Sequence, residues 1–143
     1  MHDLISWIYT HSVNIHYGGE EDTFGHPYTV RVFDGIKEHR KFYKEAFQET
    51  GINAFGVFMR DYWMKMYIQA LKDQTGSTPE KEELFHIKSF CYSRIALLKE
   101  WVMDDCETDT SEFAALMLSN VPPCLKTLNY KAYLTTDTDN SII

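Results

Sequence analysis

Three cysteines (Cys91, Cys106 and Cys124), six histidines and the acidic run DDCETDTSE at 104–112 are where this chain could carry covalent, metal or acid–base chemistry. Their spacing argues against each. Nucleophilic catalysis needs an activated Ser or Cys, and there is no G-x-S-x-G elbow and no cysteine set beside a base in one motif. Cys91 falls on an apolar stripe and reads as a core thiol. His11 and His16 point to different faces of a helix, and H-E-x-x-H does not occur. His86, between Phe85 and Ile87, is placed near the interior, as a satisfied core histidine or a ligand contact. The acidic run, with Asp137 and Asp139 beyond it, lacks the glycine and the final glutamate of a calcium loop and reads as interhelical turn chemistry. The expectation is no catalytic residue, no metal, no cofactor and no enzyme.

Composition narrows the classes further. A net charge of −7 removes the electrostatic footprint of a free-standing phosphate-backbone binder. Lys37, Arg40, Lys41 and Lys44 form a small basic face that reads as solvated helix surface. Apolar residues at 44% suit one globular domain with a sizeable core. An odd cysteine count without C-x-x-C, and no secretory leader, point to a reducing compartment and cytoplasmic location. No apolar run nears the roughly 20 residues that span a bilayer, so no membrane partner is expected.

The elements that must position these residues are helices. HDLISWIYTHSVNIHY predicts one from Leu4 to about residue 16, capped by Asp3 and stopped by Gly18-Gly19. Residues 27–50 predict a second, on Val30, Phe33, Ile36, Arg40, Tyr43 and Phe47. Gly51 supplies the turn and Asn53 the cap for a third, apolar round most of its girth and ended at Gly76. Thr78 as N-cap, Pro79 at the first helical position and three glutamates open a fourth, whose stripe runs Leu84, Ile87, Cys91, Ile95, Leu98 and Val102. Asp109 and Glu112 resemble a capping box before a fifth helix, Phe113 to Asn120, stopped by Pro122-Pro123 and paired with the fourth as a hairpin. Beyond lies a polar tail, or a short strand at 130–135. The fold class is all-α, a single domain of about five main helices.

Aromatics remain. Phe55, Phe58, Tyr62, Trp63, Tyr67, Phe85 and Phe90 exceed what two helices need for packing, and both a plain core and a cavity between helices fit them.

The run FYKEAFQETGINAFGVFMRDYW, the helix TPEKEELFHIKSFCYSRIALLKEWV and the segment VPPCLKTL together resemble the C-terminal domain of TetR/AcrR-family transcriptional regulators. Within the family they are most similar to the branch of dihydroxyacetone-kinase-operon activators. The resemblance spans residues 3–121, with DLISWIY similar to the segment that follows the helix-turn-helix in such proteins. It implies a regulatory domain over 1–121, a C-terminal tail over 122–143, and DNA contact only through a helix-turn-helix domain not present in this chain. It also implies a homodimer in which the last two helices form a four-helix bundle with their symmetry mates, and an effector cavity among the preceding helices. The dimer residues expected are Ile95, Leu98, Trp101, Val102, Phe113, Leu116 and Met117, since the stripe on 84–102 is broader than one neighbouring helix covers. Expected around the cavity are Tyr43, Phe58, Tyr62, Trp63, Tyr67, His86 and Phe90. The effector is a small molecule or, as in the kinase-operon branch, a protein partner. The rival reading is a protein-interaction adaptor whose aromatic and apolar helix face docks another chain, with no DNA or small-molecule role.

Overall fold

The computed structural model describes residues 25–48, 50 and 54–126. The expected helix at 4–16, the Gly18-Gly19 stop, the turn at Gly51 to Asn53 and the tail or strand after 127 lie outside the described residues. Six helices follow in order: α1 (His26–Glu38), α2 (Arg40–Phe47), α3 (Phe55–Thr75), α4 (Lys81–Met103), α5 (Thr110–Leu118) and the single turn α6 (Pro123–Lys126). Among the described residues there is no strand, and the domain is all-α.

The helix expected over 27–50 is two helices. His39, at φ −110° and ψ 34°, leaves the helical range between them. Its N–H still closes on Gly35 O and Ile36 O, so the break costs little hydrogen bonding while re-aiming α2. The start of α4 also differs. Glu80, not Thr78, is the N-cap: the Glu80 and Glu83 side chains satisfy each other's backbone N–H in a full capping box, with Glu83 Oε1 accepting from Glu80 N at 2.9 Å. Pro79 therefore stands outside the helix, buried.

Helix ends elsewhere follow the sequence. Gly76, at φ 76°, terminates α3 in the left-handed conformation, where a side chain would be strained. Asp109 caps α5 by accepting from Glu112 N at 3.2 Å. The C-terminus of α4 closes as a Schellman motif: Cys106 N donates to Trp101 O at 2.8 Å and Asp105 N to Val102 O at 3.0 Å. Asp105 takes the left-handed position that glycine usually fills, with φ 58°. Lys44 of α2 holds it with a 2.5 Å ion pair, which lowers the Asp105 carboxyl pKa, first by hydrogen bonding and then by charge. The acidic run is thus turn chemistry, tied to the basic face of α2.

The closest pairings are α3 with α4 and α1 with α5. The expected hairpin of the last two helices is thus looser than the sequence suggests. The start of α5 is pinned to α1, where His26 Nε2 lies 3.0 Å from Ser111 O and 3.2 Å from Ser111 Oγ. The link from α5 to α4 is a ring stack, Trp101 on Phe113 at 4.6 Å. The core extends past the boundary expected at 121, because Leu125 of α6 is fully buried and α6 packs on α3.

Leu97 and Leu98 separate the two faces of α4: Leu98 is fully enclosed and Leu97 is exposed. Leu98→Ala should lower unfolding free energy by about 3 kcal/mol through lost contacts and a cavity. Leu97→Ala should stay within about 0.5 kcal/mol in the monomeric state, as checked by urea unfolding of dilute protein.

Candidate functional site

The expected cavity residues divide into three groups. Tyr43, Phe58 and Tyr62 join one string of rings through Phe55, with centroids at 5.9 Å (Tyr43–Phe55), 6.5 Å (Phe55–Phe58) and 6.0 Å (Phe58–Tyr62). Trp63, Tyr67 and Phe90 gather at a second centre where α3 meets α4. His86 joins neither. It is half exposed, with Nε2 3.7 Å from Glu82 Oε1 on the same helix. The reason is rotational: the inward stripe is Ile87, Phe90, Cys91, Arg94 and Leu98, and His86 lies one step, about 100°, off its leading residue. His86 instead borders an open cleft of about 440 Å³ between α4 and the end of α5, with Ser89, Ser93 and Asn120 on its polar side and Pro122 and Pro123 closing it.

At the second centre sits a residue that the aromatic pattern alone does not reveal. Arg94 is only 8% exposed. Its guanidinium carbon lies 4.3 Å from the Trp63 ring centroid, 5.8 Å from Phe90 and 5.9 Å from Phe33. Its Nη1 donates to Tyr67 Oη at 2.7 Å, whereas its Nε, fully enclosed, makes no hydrogen bond. The signal was in the stripe. Cys91, Arg94 and Leu98 are spaced three and four apart, so a cation stands where the period demands an apolar side chain. Three rings supply cation–π attraction, each worth roughly 0.5–2 kcal/mol, but a ring face is not a countercharge.

Cys91 lies one turn before Arg94 on that inward face. Burial pushes its thiol up to about 12, against a smaller downward pull from the Arg94 charge. Its thiol stays protonated and inert, as a core role requires. Among the described residues no group of three His, Cys, Asp or Glu side chains is placed to hold a metal ion.

The expected dimer residues also divide. Leu98, Trp101, Val102 and Met117 are buried within this chain's own core, so a partner cannot reach them. Trp101 points inward to donate from Nε1 to Thr108 O at 2.9 Å, and it packs on Phe33 and Phe113. The broad stripe of α4 packs on α2 and α3 together. Ile95 and Phe113 are half-buried, and Leu116 is exposed. The exposed large apolar residues of the described chain are Phe85, Tyr92, Leu97, Met103 and Leu116, all on α4 and α5.

The described residues thus form an all-α domain with a buried cation among rings. Residues 26–121 match the family described as the transcriptional regulator C-terminal region, of the TetR class, and the chain belongs to that family. No curated protein and no solved structure matches it. No helix among the described residues is long and apolar enough to cross a membrane.

The raised Cys91 pKa carries a pH dependence. Unfolded, the thiol ionises near its ordinary value of 9.0; folded, it holds its proton to about 12. The unfolded state therefore binds fewer protons between those values, and stability falls as pH rises through that window. Cys91→Ala should remove that part of the slope, measured as the difference between the two proteins' urea unfolding free energies across alkaline pH.

Proposed function

We propose that this chain is the regulatory half of a TetR-type transcriptional regulator, which senses an effector in its interior and forms a homodimer through α4 and α5. DNA is reached only through a helix-turn-helix domain outside this chain, and the setting is the cytoplasm. The observation that carries the dimer is that, among the described residues, the exposed large apolar side chains fall on the last two long helices. An isologous contact would bury exposed apolar side chains on both copies at once. The residues proposed for it are Leu116 and Leu97 first, joined by Phe85, Tyr92 and Met103, with Ile95 and Phe113 at the margin.

Effector sensing is proposed for the junction of α1, α3 and α4, where Phe33, Trp63, Tyr67, Phe90 and Arg94 meet. A ligand bound there favours whichever arrangement of the helices contacts it best, and the dimer carries that preference to the DNA readers. The finer placement, among dihydroxyacetone-kinase-operon activators, rests on the helix and aromatic spacing of the segments quoted above, and it makes a protein effector the competing case. The same exposed face also supports the second reading, an adaptor that docks an unrelated chain.

Light scattering over a wide concentration range should give twice the chain mass. The double substitution Leu97→Glu and Leu116→Glu should give a monomer of unchanged helicity, because both side chains are solvent-facing within one copy. A wild-type monomer at the highest concentration would remove the dimer and leave the adaptor reading.

A further inference from the structure

We propose that the effector is a small organic carboxylate, anchored by the Arg94 guanidinium inside the ring-lined junction of α1, α3 and α4; this rests on the effector-sensing reading above. Arg94 is only 8% exposed, with Nε fully enclosed, yet no ion pair reaches it among the described residues. Buried arginines are ordinarily paired with an anion, since taking a charge out of water costs several kcal/mol before any partner repays it. Tyr67 occupies Nη1 but brings no countercharge, and Nε has no acceptor at all. A water molecule would satisfy Nε without neutralising the charge. An anion does both.

The geometry narrows the anion. With Tyr67 on Nη1, the edge left over is Nε with Nη2, the side-on fork whose two parallel N–H groups match the two oxygens of a carboxylate. The guanidinium is flanked by the rings of Phe33, Trp63 and Phe90, so a ligand seated on it has an apolar remainder. Those contacts belong to three helices, α1 through Phe33, α3 through Trp63 and Tyr67, and α4 through Phe90 and Arg94. Admitting the ligand parts them. The single non-helical residue His39, at the end of α1, is where such a displacement is absorbed without unwinding α2.

The test uses the whole chain with sodium benzoate and sodium hexanoate, and benzamide and hexanamide as their neutral counterparts. Thermal midpoint and tryptophan emission are read together. At least one carboxylate should raise the midpoint by about 4 °C at roughly ten times its Kd, and its amide should not. Arg94→Met exchanges a buried charge for an apolar side chain of similar length, so its unliganded midpoint should hold or rise while the response disappears. Arg94→Lys keeps the charge but not the fork, so it should bind about tenfold more weakly, and it carries the test should the Met variant fail to fold. Equal responses to acid and amide, or a carboxylate response that survives Arg94→Met, would overturn the anion site and leave small-molecule sensing standing. No response from a protein that scatters as a dimer would overturn the anion site alone and turn the regulator towards a protein effector. No response from a monomer would sink both readings.

Discussion

When α4 packs on α3, the guanidinium of Arg94 has to leave water, and most of what is distinctive in this domain follows from how that is tolerated. The stripe of α4 would be an ordinary apolar seam if position 94 were leucine. With arginine there, the seam must supply ring faces in place of aliphatic ones, and it does so from three directions with Phe33, Trp63 and Phe90. Tyr67 is fixed by the same demand, its hydroxyl turned to Nη1. The aromatic richness of the core is therefore more than a means of filling volume; part of it solvates a cation.

That constraint explains what could be read from the sequence and what could not. Periodicity placed α3 and α4 well, because both are long and their ends carry strong local chemistry: glycine at Gly76 after α3 and acidic residues at the start of α4. It missed the break at His39, where no glycine or proline marks the sequence and tertiary packing overrides a continuous amphipathic pattern. Thr78 lost the cap to Glu80 because a reciprocal pair of glutamates satisfies two backbone groups while a threonine satisfies one.

The candidate site was legible in its rings and not in its charge. Trp63, Tyr67 and Phe90 were found as aromatics in excess, but a search for apolar periods passes over Arg94, and nothing in spacing alone tells a buried cation from one whose stem lies along the core with its head in water. His86 was the converse error. One residue of rotation separates the inner face of α4 from the outer, and a histidine flanked by Phe85 and Ile87 looks interior whichever neighbour points inward. Of the expected dimer residues, Leu98, Trp101, Val102 and Met117 are buried within one copy for a related reason: breadth of an apolar stripe counts how much surface is to be buried, not which molecule buries it.

Helix α4 carries residues of both the proposed sensing site and the proposed dimer contact. Arg94 and Phe90 are buried on it, while Phe85, Tyr92, Leu97 and Met103 are exposed. A helix of 23 residues moves as a stiff rod on the scale of side-chain contacts, so a shift at Arg94 is carried to Leu97 less than one turn away. The proposed sensing site and the proposed dimer face need no chain of intermediate contacts between them. They share a backbone, and a turn of α4 about its own axis large enough to admit a ligand beside Trp63 must also re-aim Leu97.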